Sequence, residues 1–266
     1  HGGELSGTVD EPVRHAISKL SHYHLVATEE ARERLVRMGE RAGNIVLTGA
    51  PGLDGLTQID IGSREIMMER HGLDPAKSVA LAIFHPVVQE ANLAETQIRE
   101  LLNAIERIED LQALILMPNA DAGGEAIRDA LATYHDRYKV LVHLPRHEFV
   151  NWMAVADVMV GNSSSGIIEA ATFNTPVVNV GERQKGRERS SNIIDVPVVS
   201  DAIESAIRLV LSKDREDVEN IYGDGHAGDR IVESLLSLSL SNDVLKKQNA
   251  YSQVHIWSRW ACKRSP

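Results

Sequence analysis

Short apolar, β-branched runs alternate with amphipathic stretches along almost the whole chain, and this alternation constrains the fold more than any other feature. Candidate strands are His24–Thr28, Ile45–Gly49, Val79–Phe84, Ala113–Met117, Lys139–His143, Val158–Gly161 and Val177–Val180. Each is bounded by Gly, Pro, Asn or Asp, as strands buried on both faces of a sheet tend to be. The helical period places helices between them at about Val13–Leu20, Glu29–Glu40, Ser63–His71, Leu93–Ile108, Gly124–Tyr134, Arg146–Ala154, Ser164–Ala171, Asp201–Leu211 and Ala227–Leu238. The helix after Asn92 carries Leu93, Ile98, Leu101, Leu102, Ile105 and Ile108 as one apolar stripe. Repeated strand–helix order of this kind builds right-handed βαβ units on a parallel sheet.

The pattern has one seam. Ala50–Ile61 is rich in Gly and Asp and has no strong period, so it reads as a connection between two α/β blocks. The block before it holds only two strands and looks like the C-terminal end of a larger domain. The block after it holds five strands in order, enough for a Rossmann-like domain. The expected division is therefore residues 1–50, a connection at 51–62, a domain at 63–244 and an atypical tail at 245–266. That tail holds Trp257, Trp260, the single Cys262 and a basic end at Lys263–Arg264.

Composition narrows the function classes. Lys and Arg number 28 against 38 Asp and Glu, a net charge of −10, which argues against nucleic-acid binding through overall positive charge. A local basic pocket for one phosphate-bearing small molecule is compatible with it. No apolar run approaches the roughly 20 residues a membrane-spanning helix needs, so no membrane partner is expected. One cysteine makes neither an intrachain disulfide framework nor a thiolate metal cage, and it fits a cytoplasmic, reducing location.

The sharpest segment is VMVGNSSSGIIEAATF, Val158–Phe173. A buried strand ends at Gly161, a turn of Asn162, Ser163, Ser164 and Ser165 follows, and a helix begins. Unpaired backbone N–H groups at a helix start, with hydroxyls beside them, can cradle a phosphate. Open α/β sheets bind ligands at the C-terminal ends of strands, where this turn lies. Serines there also serve as plain helix caps, but three in a row after Gly-Asn point to a ligand. Glu169, further along the same helix, could accept hydrogen bonds from ribose hydroxyls. The next strand leads into GERQKGRER, Gly181–Arg189, where Arg183 lies nearest the strand end and can neutralise a diphosphate. Lys185 and Arg189 read as a solvated charge run.

His85 follows a strand and precedes Pro86, which pushes it into an extended conformation at the strand tip; it can contact phosphate or act as an acid or base. Asn119 ends the next strand in MPNADAG. His22 and His24 flank another strand and lack further ligands at metal-binding spacing. At the N-terminus, HGGELSGTVDE offers Glu4, Asp10 and Glu11. Asp10 suits an N-cap, with Pro12 in the first turn, and the same groups suit proton transfer at carbon; spacing does not choose between these. IYGDGHAGDR, Ile221–Arg230, is a Gly-rich loop of neither the GxGxxG nor the Walker A type.

Taken together, HGGELSGTVDEPVRHAISKLSHYH, GAPGLD, FHPV, MPNADAG, HLPRHEF, GNSSSGIIEAATFNTPVVNVGERQKGRE and IYGDGHA resemble the hydrolysing UDP-N-acetylglucosamine 2-epimerase family, in the family's order over roughly Gly2–Leu238. The non-hydrolysing relatives carry an EAG-type segment in place of HGGE. The resemblance implies an α/β, GT-B-like fold of two Rossmann-like domains with parallel sheets, here a complete C-terminal domain plus part of the N-terminal one. It implies UDP-sugar as substrate, no cofactor and no metal. In that chemistry UDP-GlcNAc yields UDP and N-acetylmannosamine, a precursor of sialic acid.

Residue by residue, the resemblance assigns Ser163, Ser164 and Glu169 to the UDP-contacting turn and helix. It assigns Arg183 and His85 to the diphosphate, with His85 also among the catalytic groups, and Asn119 to the nucleotide. Asp10 matches a catalytic acid; His1 falls where some members have a catalytic Glu and others, as here, have His, with Glu4 as an alternative carrier. Family members extend before the position of His1 and there carry a Gly-Asp-Arg motif and a further catalytic Asp. The expectation is thus an N-terminally incomplete epimerase in which His1 marks a cut edge. The alternatives are a paralogue acting on a UDP-diacetamido sugar and an inactive fragment or pseudoenzyme retaining a UDP half-site. A GT-B glycosyltransferase would lack the HGGE…Asp10 block. Family members often associate, which leaves a homo-oligomer open.

Overall fold

The computed structural model describes residues 2–5, 10–133, 138–238 and 246–250. Two parallel sheets organise them. The smaller pairs β1 (His24–Val26) with β2 (Ile45–Leu47), flanked by α1 (Glu11–Leu20) and α2 (Glu29–Arg37). Thr28 caps α2 by accepting a hydrogen bond from the Ala31 N–H. Val26, Ala31, Leu35 and Ile45 form the small core beneath it.

The larger sheet has six strands: β3 (Ser78–Ile83), β4 (Leu111–Leu116), β5 (Lys139–Leu141), β6 (Val158–Gly161), β7 (Val177–Val180) and β8 (Ile193–Val196). All are parallel, in the order β5-β4-β3-β6-β7-β8. This is the doubly wound order in which the chain starts at the centre, builds one half outwards, then returns to build the other. Strand residues alternate between two buried faces, as a period of two requires. Ala80, Ala82, Ala113, Ile115, Val158, Val160, Val178 and Val180 pack against α4 (Ala94–Glu106), α5 (Gly124–Ala132) and α8 (Ser200–Leu211). Val79, Leu81, Leu114, Met159 and Val177 face Met67 and Met68 of α3 (Arg64–Arg70) and Trp152 and Met153 of α6 (Arg146–Val155).

Three expectations need correction. Ile193–Val196 is a sixth strand of the main sheet, where five were expected. Its central Asp195 looks like a turn residue, but it lies opposite Asn179 of β7 and accepts that side chain's Nδ2–H at 2.6 Å, with Arg189 at 3.1 Å. Helix α2 ends at Arg37 and not at Glu40, because Gly39 turns the chain in the left-handed region at φ +88°. The helix expected over Ser164–Ala171 stops at Ile168; a 3-10 turn, Ala170–Phe173, continues it and Asn174 closes that turn at φ +54°.

The connection after β2 runs through 3-10 turns at Pro51–Leu53 and Leu56–Gln58. It is not a bare linker: Leu53 and Leu56 are buried and pack with Val150, Ile167 and Tyr222. Asp54 accepts hydrogen bonds from the Ala227 and Gly228 N–H groups at 2.8 and 2.6 Å, capping α9 (Ala227–Ser237) with a carboxylate. Of the tail, 246–250 return to the smaller sheet. Lys247 Nζ lies 2.8 Å from the buried Glu40 carboxylate, which also meets Lys19 at 2.7 Å and His24 at 3.2 Å. Burial works to raise the Glu40 carboxyl, but the bonds from Lys19, Lys247 and His24 outweigh it and hold it below its ordinary value. Trp257, Trp260, Cys262, Lys263 and Arg264 lie outside the described residues.

Candidate functional site

The order of the large sheet places β3 beside β6, the one point where the chain's direction of winding reverses. The crevice outside the C-terminal ends of these strands is where doubly wound sheets receive ligands. Four strand ends meet there: β3 delivers His85, β4 delivers Asn119, β6 delivers Asn162 to Ser165, and β7 delivers Arg183.

Asn162 holds them together. It is 1% exposed. Its Oδ1 accepts the His85 N–H at 2.7 Å, and its Nδ2 donates to the His85 carbonyl at 2.8 Å. Its own carbonyl accepts from Arg183 Nη1 at 3.1 Å and Gln184 Nε2 at 2.8 Å. Just before it, Gly161 sits at φ +133°, and a Cβ there would lie 2.0 Å from the Ile83 carbonyl oxygen. Only glycine permits β3 and β6 to approach so closely. Asn162 was not singled out from the sequence. The available signal was its position directly after a strand-ending glycine.

His85 Nδ1 accepts the Asn119 backbone N–H at 3.2 Å. The neutral ring therefore carries its proton on Nε2, where it can be donated. Burial, reinforced by the Arg183 charge, lowers the His85 pKa to about 4. Asn119 is exposed and donates to Asp121 Oδ2 at 2.6 Å. Arg183 is half-buried, and burial, with the neighbouring Arg187 charge, works against its own charge. Among the described residues no carboxylate lies within ion-pair distance of Arg183, on which Asp121 and Asp10 act at longer range, whereas Lys185 pairs with Glu182 and Arg189 with Asp195. The loop thus leaves two half-buried cations, Arg183 and Arg187, without an ion pair among the described residues, and Arg187 Nε is buried without a hydrogen-bond partner.

The serines divide their roles. Ser163 caps α7 (Ser164–Ile168) by accepting from the Ser165 N–H at 3.4 Å, and its hydroxyl meets Ser165 Oγ at 2.8 Å. Ser164 Oγ has no partner among the described residues. Glu169 closes α7, and its carboxylate Oε2 lies 2.7 Å from Nη2 of Arg146. Burial raises the Glu169 carboxyl and the Arg146 charge opposes it.

The N-terminal groups border the same region. Gly3, at φ +71°, passes so close to α2 that a Cβ would lie 2.1 Å from the Ala31 carbonyl oxygen. Leu5 packs against Gly186 of the basic loop, and the Glu4 carboxylate acts electrostatically on Tyr222. Of the two readings left open for Asp10, the cap is not made: its side chain forms no cap hydrogen bond to α1, and its charge acts on Arg183. His1 lies outside the described residues. A second cleft, of about 950 Å³, opens between the ends of β1 and β2 and the chain at 219–224. It carries Glu29, Glu30, Glu188 and Asp224, and its two arginines are already paired.

The model of a family described as UDP-N-acetylglucosamine 2-epimerase matches residues 1–236. A Legionella pneumophila UDP-N,N'-diacetylbacillosamine 2-epimerase (hydrolyzing) is 49% identical over 94% of this chain and 67% of its own length. A Neisseria meningitidis serogroup B UDP-N-acetylglucosamine 2-epimerase is 37% identical over 84% of this chain and 59% of its own. The chain spans between 52% and 67% of the length of such relatives. Among solved structures, UDP-GlcNAc 2-epimerase from Neisseria meningitidis bound to UDP-GlcNAc superposes with a TM-score of 0.71 at 19% identity, over 86% of this chain and 65% of that one. The Methanocaldococcus jannaschii UDP-GlcNAc 2-epimerase in complex with UDP-GlcNAc and UDP gives 0.72 at 18% identity, over 88% and 67%. These likenesses speak for the GT-B fold. With the family match running through the β3–β6 crevice and every strand that builds it, the chain belongs to the UDP-N-acetylglucosamine 2-epimerase family.

Proposed function

We propose that the chain is the UDP-binding part of a hydrolysing UDP-sugar 2-epimerase. One observation carries this reading: the half-buried Arg183 makes no ion pair among the described residues and stands at the switch point beside Asn162 and His85. A diphosphate would supply the missing anion, with Ser163, Ser164 and the Nε2–H of His85 as further donors. Asn119 would touch the nucleotide, and Glu169 would accept from the ribose hydroxyls. At pH 7 His85 is neutral in the free protein, so any acid role for it depends on the diphosphate first raising its pKa.

In the reaction a base removes the C2 proton while the C1–O bond to UDP breaks, leaving a C1=C2 glycal. Water then adds, its hydroxyl to C1 and a proton to C2 on the opposite face, giving the free 2-epimer and UDP. Glu4, Asp10 and His1 are the candidate proton carriers. The sugar expected from sequence is N-acetylglucosamine, giving N-acetylmannosamine. The 49% identity to the Legionella enzyme favours the diacetamido sugar instead. A second reading is UDP binding without turnover.

The test is incubation with each UDP-sugar in deuterated water, following UDP release and deuterium at C2 of the product. Release with C2 labelling supports the epimerase, and the faster substrate identifies the sugar. UDP binding without release supports the second reading. No UDP binding at all overturns both.

A further inference from the structure

We propose that Arg146 is the positioning residue of the ribose subsite, holding the Glu169 carboxylate ionised and fixed relative to the connection that follows β2. The inference rests on the reading of Glu169 as the ribose acceptor. Arg146 opens α6, which follows β5, and is half-exposed. Its Nη2 stands 2.7 Å from Glu169 Oε2 and donates to the Gly52 carbonyl at 3.1 Å. One nitrogen therefore spans the end of α7 and the Pro51–Leu53 turn. The guanidinium also lies over the Phe149 ring, with 6.0 Å to the centroid, which limits its swing.

The 2.7 Å approach to Oε2 is an ion pair in which Arg146 opposes protonation of the carboxyl. Glu169 Oε1 has no partner among the described residues. A carboxylate arranged this way keeps acceptor capacity for hydroxyls while remaining electrostatically supported. The need for support is physical. The Glu169 side chain is only 16% exposed, and burial favours its neutral form. Arg146 is the only charged group acting on it among the described residues. A protonated Glu169 would accept from one hydroxyl and donate to the other, and would lose the stronger charge-assisted bonds that a carboxylate accepts from both. Without Arg146, Glu169 protonates at higher pH, and ribose recognition fails sooner as pH falls.

The experiment measures calorimetric affinities for UDP and 2'-deoxy-UDP between pH 5 and 8, for the unaltered chain, Glu169→Gln, Arg146→Ala and Arg146→Lys. Arg146 is half-exposed and outside the core, and thermal melting checks that each variant folds. The unaltered chain and Glu169→Gln establish the subsite: the UDP preference should be present in the first and lost in the second. Arg146→Ala should weaken UDP about tenfold, a charge-assisted contact's worth, reduce the preference over 2'-deoxy-UDP, and move the acid limb of UDP binding to higher pH. Arg146→Lys should restore the acid limb, since it restores the charge. If Arg146→Ala keeps the original preference and pH profile while Glu169→Gln loses the preference, the inference about Arg146 falls and the ribose reading stands. If Glu169→Gln keeps the preference, the ribose reading itself falls and takes the inference with it.

Discussion

Replacing Asn162 by alanine should damage stability and ligand binding together, and by an amount the structure sets. The side chain makes two hydrogen bonds across the β3–β6 junction, at 2.7 and 2.8 Å, both to the backbone of His85. Alanine removes the donor and the acceptor at once. Each backbone group left unpaired and buried costs about 1–3 kcal/mol. His85 is only half-buried, so water can reach part of this backbone, and the expected loss is about 2–4 kcal/mol and not the full sum. Asn162→Asp keeps the acceptor for the His85 N–H but loses the donor, and buries a carboxylate where a diphosphate is to bind. It should therefore fold less poorly than Asn162→Ala at low pH, where the new acid is protonated, and bind UDP worst at neutral pH. Urea unfolding gives the stability change and calorimetry gives the affinity. A loss below about 1 kcal/mol for Asn162→Ala, with UDP affinity unchanged, would refute the role assigned to this residue.

Four further outcomes are expected. The His85 ring, followed by NMR, should titrate near pH 4 in the free protein and higher with UDP present; a free-protein midpoint at 6.5 would contradict its described surroundings. Its depressed pKa also means that stability rises with pH between about 4 and 6.5, the window in which the unfolded chain holds a proton that the folded chain does not. Arg183→Ala should weaken UDP about 10- to 100-fold with little change in melting temperature, and Arg183→Lys should fall between. Asp54→Ala removes the carboxylate cap of α9 and should cost about 1–2 kcal/mol in urea unfolding, with UDP affinity nearly intact.

What the chain disclosed before its structure followed from local chemistry. Buried parallel strands such as Val158–Gly161 and Val177–Val180 show themselves because both faces must be apolar, and their bounds coincide with expectation. Strand β8 did not, because Asp195 is tolerable there only through Asn179 and Arg189. The site followed the same rule. The turn after Gly161 and the first basic residue after Val180 were visible as strand-end motifs. Asn162 as a hub was not, since its partner His85 is 77 residues away. Nor was the Arg146–Glu169 pair, which joins the starts and ends of two separate helices. Asp54 read as part of a connection, yet it caps a helix 173 residues later. Periodicity reports which face is buried; it carries no information about which polar groups meet once distant elements pack.

The adjacency of β3 and β6 has a consequence for how the protein reaches its native state. Chain growth passes from β3 through β4 and β5 before β6 exists, so the junction between β3 and β6 closes a long loop and cannot form early. Every group that meets in the crevice depends on that closure. A nucleotide that binds there has no partner in a half-assembled sheet and favours only the finished one. Nucleotide binding and resistance to proteolysis of the β3–β6 region should then arise in the same kinetic phase of refolding, the last one to involve the sheet.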